Sequence, residues 1–338
     1  MGPDFFVENT KNMQPGLADC YRQWIPDVQA EIQRLFPREP STFWLQTLFN
    51  TKLAVDADAV VNTIVQPTYL YIDRPGKMLR PLLSAVVLDA FNADVARYRS
   101  VLALIELMEI TTISLNDVWD DSLFRRGGPC THIVYDKAVA YVAALGGYAY
   151  CQRFLFENQL NLSIPTRLKL YRAFAFEDLQ FFLGDLVETL WPLYGKAAVD
   201  ENHYFQEVVS RCAFLSFRGP ARIGAILADA NESQISLLER FGMLTGLAYH
   251  LRGDNLNFSA QSKTWGKNPY EDITAGRRSL VTSYAYINAS PKDQQRILQI
   301  LDSHTDDEDT IKEFISLMHH YEAPQYCEQR AQTLLETA

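Results

Sequence analysis

The chain has 338 residues and a mass of 38.6 kDa, enough for one large domain or two ordinary ones. Hydrophobic residues make up 48% and charged residues 21%, the balance of a globular protein with a substantial core. With 31 Lys and Arg against 41 Asp and Glu the formal net charge is -10. That balance excludes a general nucleic-acid binder, which needs a basic face, and leaves room only for local basic pockets that take a small anion.

No uncharged apolar run reaches the ~20 residues of a membrane helix. The opening MGPDFFVENTKNMQPG carries Asp and Glu where a secretory signal is basic and then apolar. Five scattered cysteines (Cys20, Cys130, Cys151, Cys212 and Cys327) form no CxxC pair and suit reduced thiols. The expectation is a soluble cytoplasmic protein. In chain order, residues 1–16 read as a flexible segment and 17–36 as an amphipathic helix ended by Pro37. Further helical periodicity covers 42–65, 78–91, 98–122, 137–158, 165–191, 202–230, 233–255, 279–287, 293–303, 311–320 and 327–337. Turn residues fall between these stretches, at Pro75-Gly76 and Gly127-Gly128-Pro129. Long helices joined by short loops, with no shift of composition, predict an all-α single-domain bundle over 17–338 with a central cavity.

Three segments carry chemistry. In the first, Asp117, Asp120 and Asp121 stand at i, i+3 and i+4 on one predicted helix face. Clustered carboxylates repel one another, and a hard oxygen-loving cation such as Mg²⁺ relieves that repulsion. Arg125 and Arg126 follow in a Gly-rich turn suited to phosphate oxygens. In the second, Lys77 and Arg80 lie on the expected first turn of a helix, where backbone N–H groups also attract anions. In the third, Asp254 and Asn257 share a face, His250 precedes Asp254 by four residues, and Lys267, Asp272 and Arg277 follow. His250 by itself reads as a packed or hydrogen-bonded residue.

In this order the segments resemble the trans-isoprenyl diphosphate synthases. GKMLRP at 76–81 matches that family's GKxxRP, 105–126 its first aspartate-rich region, GLAYHLRGDNLN at 246–257 its second, and the later GK…DI…GRR its GK…DI…GK. Gly184-Asp185 and Arg211-Cys212 are weaker matches, to its GQ and Lys-Thr. The resemblance implies an all-α homodimer. In such a protein Mg²⁺ ions bridge an allylic diphosphate to the two motifs, the diphosphate leaves, and isopentenyl diphosphate attacks the allylic cation. It implies catalytic roles for Asp117, Asp120, Arg125 and Asp254, and metal ligation by Asn116, Asp117, Asp120, Asp121, Asp254 and Asn257. The allylic diphosphate falls to Arg125, Arg211, Lys267 and Arg277. Lys77, Arg80, Glu109 and Arg126 fall to the acceptor, and Met108, Thr111 and Thr112 to the tail pocket.

The chain departs from this pattern at three places. The first motif opens on Asn116 instead of Asp, and the second has Gly253 and Asn257 for its first and last Asp. An amide oxygen is a weak ligand for a hard dication and Gly is none, so fewer than three Mg²⁺ ions, or none, are expected. Glu109 stands where the family donates a hydrogen bond to the acceptor diphosphate. Either Glu109 pairs with Lys77 or Arg80, or the acceptor offers an N–H or a cation, as an indole or an amine does. The expected activity is prenyl transfer from an allylic diphosphate, to isopentenyl diphosphate or to such an acceptor. The alternatives are a non-catalytic subunit of a heteromeric synthase and a terpene-synthase-like enzyme.

Overall fold

Local chemistry sets the helix boundaries. Pro15 occupies the first turn of α1 (Pro15–Leu35), where its missing N–H costs nothing. Tyr21, Ile25, Val28 and Ile32 form its buried stripe at helical spacing. The Ser41 side chain caps α2 (Thr42–Phe49) by accepting from Trp44 N–H. Asn50, left-handed at φ 49°, ends α2, so the single helix expected over 42–65 is two segments. Helix resumes at Ala57 and runs through a π-helical turn into α3 (Gln66–Ile72). Then come α4 (Leu79–Ala90), α5 (Arg99–Trp119), α6 (Lys137–Phe156) and α7 (Ile164–Leu193). The helix expected over 202–230 is divided into α8 (Glu201–Val208), a π-helical stretch Val209–Arg218 and α9 (Gly219–Leu227). After α10 (Glu232–Leu256) the chain closes with α11 (Leu280–Asn288), α12 (Pro291–Ser303), α13 (Glu308–His320) and α14 (Ala323–Thr337). The only strands among the described residues are β1 (Phe124–Arg125) and β2 (Gly128–Pro129), a two-residue hairpin.

This computed structural model describes residues 10, 13–74, 76–157, 161–193, 199–258 and 270–338. Most of the segment 1–16, expected to be flexible, lies outside them. The chain divides into two compact units, Met1–Arg172 with Pro220–Ile235 and Ala173–Gly219 with Ser236–Ala338.

In the first unit α5 is the central helix, with every residue from Val101 to Thr112 buried. An all-round buried helix is normally apolar all round. This one also buries Glu106, Glu109 and Asp117, so their partners decide its stability. α5 packs on α6 at Gly147, where an added Cβ would stand 2.8 Å from Thr111 Cγ2. α9 approaches α4 as closely, for a Cβ on Gly224 would stand 2.8 Å from the Ser84 carbonyl oxygen. In the second unit Tyr204, Val208, Leu251, Val281, Ile300, Phe314 and Met318 anchor one apolar cluster drawn from α8 and α10 to α13. Among the described residues Cys20, Cys130, Cys151 and Cys327 are in no disulfide. Among the described residues no helix is long and apolar enough to cross a membrane.

Candidate functional site

The first unit gathers its cations by means of a tight turn. Arg126 (φ 52°) and Gly127 (φ 75°) are both left-handed, the two central positions of a primed hairpin turn. Arg74 holds this hairpin from below, donating to the Arg125 carbonyl at 3.1 Å and the Pro129 carbonyl at 2.9 Å. Arg74 packs closely on Gly128, where a Cβ would stand 2.0 Å from its Nη1 and would displace the guanidinium. The hairpin thereby lays Arg125 and Arg126 along the buried face of α5.

Each arginine meets a carboxylate. Arg125 engages Asp117 Oδ1 through both Nε (2.7 Å) and Nη2 (2.5 Å). The second oxygen of Asp117 accepts from the Tyr71 hydroxyl at 2.5 Å. Asp117 is 0% exposed, so both of its oxygens are committed inside the protein. Arg126 donates to Glu106 at 3.2 Å and to the Tyr71 carbonyl at 3.3 Å. Arg80, on the first turn of α4, pairs with Glu109 at 2.6 Å. Of the two readings open for Glu109, the ion pair is the one the structure contains. Lys77 precedes α4 and is exposed, not on its first turn, because Met78 is the N-terminal cap in a left-handed conformation. Burial pushes the carboxyls of Glu106 and Glu109 above the usual carboxylate range, with Arg126 and Arg80 acting in the opposite direction. Burial and the adjacent Asp117 push the Cys130 thiol up to about 12, which keeps it protonated.

The expected carboxylate face is only partly formed. α5 ends at Trp119, Asp120 is its C-terminal cap, and Asn116 Nδ2 donates to Asp120 at 3.2 Å. Asp121 turns left-handed (φ 52°), leaves the helix and pairs with Lys137 at 2.8 Å. The hydrogen bond from Lys137 lowers its carboxyl below the usual range. Trp119 is 40% exposed and is not core. Met108, Thr111 and Thr112 are buried, with the Thr111 and Thr112 hydroxyls donating to the Met108 and Glu109 carbonyls.

In the second unit Tyr204 donates to Asp254 Oδ2 at 2.6 Å, and His250 Nε2 lies 3.4 Å from Oδ1. Burial and Asp254 hold the Tyr204 hydroxyl well above its ordinary value. Asn257 is buried, and its amide nitrogen donates to Asp272, which also pairs with Arg277 at 3.2 Å. Gly184 is buried. Lys267 and the side chains of Asp185, Arg211 and Cys212 lie outside the described residues.

These placements do not fit the full magnesium cluster of the family that the sequence resembles. Asp117 is saturated by Arg125 and Tyr71, Asp121 faces Lys137, and the amide nitrogen of Asn257 is turned to Asp272. Among the described residues no three His, Cys, Asp or Glu side chains are grouped to hold a metal. The site is better defined by its guanidinium groups than by its carboxylates. Sequence reading missed Tyr71, Glu106 and Tyr204. Glu106 was findable, one helical turn before Glu109 on the same face. Tyr71 and Tyr204 sit 46 and 50 residues from their partners, with no local signal.

An all-α scaffold with arginines paired to buried carboxylates along one helix defines a class of helical protein with charge at its core. The particular family follows from sequence: the chain belongs to the polyprenyl synthetase family, whose pattern matches residues 61–318. It is 25% identical over 280 residues to a short chain isoprenyl diphosphate synthase of Methanothermobacter thermautotrophicus, covering 80% of this chain and 81% of that protein. It is 28% identical over 271 residues to a geranylfarnesyl diphosphate synthase of Aeropyrum pernix, covering 78% and 81%. Its fold is similar to that of a geranylgeranyl pyrophosphate synthetase of Pyrococcus horikoshii, with a TM-score of 0.79 at 21% identity, covering 95% of this chain and 89% of that one. A polyprenyl synthase of Caulobacter crescentus, in complex with calcium and isoprenyl diphosphate, gives 0.75 at 20% identity, covering 95% and 92%.

Proposed function

We propose that the protein is a prenyltransferase that elongates an allylic diphosphate with isopentenyl diphosphate. Arg125 holds the departing diphosphate, and Lys77, Arg80 and Arg126 hold that of the acceptor. The C–O bond of the allylic diphosphate breaks, diphosphate carries away the electron pair, and the acceptor alkene forms the new C–C bond. A proton is then lost from the acceptor carbon next to the new cation. Guanidinium groups fixed before the reaction stabilise the leaving charge without reorganising. The observation that supports this reading is the cation set itself, brought by two separate segments to one face of α5 in a chain of this family. A homodimer belongs to the same reading.

The test is a product assay on the purified protein, with magnesium chloride and again with EDTA. Geranyl, farnesyl and geranylgeranyl diphosphates are each offered with isopentenyl diphosphate, with an indole and with an amine, and products are read by mass spectrometry. Elongated diphosphates are expected. A second reading, a non-catalytic subunit of a heteromeric synthase, is favoured by the full commitment of Asp117 to Arg125 and Tyr71. Silence with every pair would select it.

A further inference from the structure

Three carboxylates on one face of α5 each meet one arginine: Glu106 with Arg126, Glu109 with Arg80, and Asp117 with Arg125. All three carboxylates are buried, and all three arginines are partly accessible. The groups facing Glu109 are Arg80 from α4, Arg125 and Arg126 from the hairpin, and Glu106 one turn back on α5. Carboxylates and arginines in this cluster pair one to one. The site therefore does not present three open guanidinium groups to an incoming anion.

The three pairs are not equal. Asp117 is held on both oxygens, by two different residues, so its pair with Arg125 is a fixed structural joint. Arg126 is anchored a second time by the Tyr71 carbonyl, and together with Tyr71, Met78, Glu106 and Ile110 it lines a small pocket. Glu109 reaches Arg80 at 2.6 Å, with the acid side chain 6% and the arginine side chain 19% exposed. Arg80 is thus a partly accessible cation paired with a buried anion.

We propose that Glu109 is a specificity-determining residue of the acceptor side, a built-in counter-anion that competes with the acceptor's diphosphate for Arg80. An anion that approaches Arg80 meets the Glu109 charge as well, in surroundings where repulsion is weakly screened. It binds by sharing or displacing the carboxylate and loses affinity either way. Acceptors that depend on a diphosphate handle are penalised. Acceptors without one pay no such penalty, because the pair is already neutral.

The inference rests on the prenyl-transfer reading for its acceptor, but its test does not need turnover. Inorganic pyrophosphate is titrated calorimetrically into the unmodified protein, Glu109→Gln, Arg80→Ala and the double variant, without magnesium. Glu109→Gln is expected to tighten pyrophosphate binding about tenfold, the effect of removing one poorly screened like charge. The gain is expected to vanish in the Arg80→Ala background, as coupling between two residues in contact requires. Glu109→Asp, which keeps the charge but draws it back from Arg80, should give a smaller gain and guards against a Gln variant that does not fold. In turnover, the KM for isopentenyl diphosphate should fall by more than the KM for the allylic substrate. An unmoved pyrophosphate affinity in both Glu109 variants, or a gain that survives Arg80→Ala, overturns the proposal. The two readings fail separately, since an inactive unmodified protein overturns the transferase and leaves the pyrophosphate comparison intact.

Discussion

Arg125 ties the chemistry of the site to the stability of the fold. Its partner Asp117 is 0% exposed, and a buried ion pair that loses one member leaves an uncompensated charge costing about 3–5 kcal/mol. Arg125→Ala should therefore lower the melting temperature and abolish turnover together, and by itself says little about catalysis. Arg125→Lys keeps the charge and gives up the planar fork that meets Asp117 Oδ1 through two nitrogens. For the Lys variant we expect a loss of about tenfold or more in kcat/KM, with the melting temperature changed far less. Equal and proportionate losses in both would assign Arg125 to structure alone. The residue types of this site were legible in the sequence because GKMLRP, Arg125-Arg126 and Glu109 sit in local patterns. Their pairings were not legible, because Arg80–Glu109 and Tyr71–Asp117 join residues 29 and 46 apart, and the lengths and angles of packed helices decide which carboxylate meets which guanidinium.

Among the elements, α5 is the one most constrained by its neighbours. Thr111 fits against α6 only because residue 147 is Gly. Gly147→Ala should cost about 1–3 kcal/mol by overpacking. Thr111→Ser, which removes the colliding methyl, should restore part of that loss when combined with it. Urea denaturation of both single variants and the double variant measures the coupling, and additive losses would show that the contact is not where the strain lies. At its other end α5 is tied to α1 by Glu31, which accepts from Arg34 at 2.7 Å and from Ser100, with Arg99 at 3.7 Å. The Arg34 hydrogen bond, ahead of that from Ser100, lowers the Glu31 carboxyl below its ordinary value. A carboxyl lowered on folding contributes stability above its unfolded value of about 4.3, and loses it as pH falls through the folded value. Glu31→Gln should thus cost about 1–3 kcal/mol at neutral pH, with the gap to the parent closing below about pH 4. Glu106 and Glu109 run in the opposite sense. Burial raises them, so their unfavourable contribution is relieved as pH falls towards the ordinary range. Helix existence was legible from period and capping residues. The break after α2 was not, because Asn50 inside a polar run signals a left-handed cap only once the chain is seen to turn there. The departure of Asp121 from the α5 face was hidden for the same reason.

At the scale of the whole molecule, net charge and apolar surface act against each other. A formal charge of -10 keeps copies of the chain apart, with a range set by ionic strength. Against this, α7 exposes Phe176, Leu179, Leu183 and Val187 at 39%, 56%, 45% and 40%, a stripe at spacings of three, four and four residues along one helix face. Large exposed apolar side chains in one contiguous row mark an association surface, and the proposed homodimer assigns that surface to a second copy of this chain. An apolar contact between two acidic copies has a diagnostic salt dependence. Raising sodium chloride from about 0.05 M to about 0.5 M screens the repulsion and leaves the apolar attraction in place, so the dimer should tighten. An interface held by ion pairs would loosen over the same range. Sedimentation velocity across that salt series should give a dimer that strengthens with salt. Leu179→Glu together with Leu183→Glu should give a monomer of unchanged helical circular dichroism. A parent chain that sediments as a monomer at every salt concentration would remove the homodimer from the proposed function.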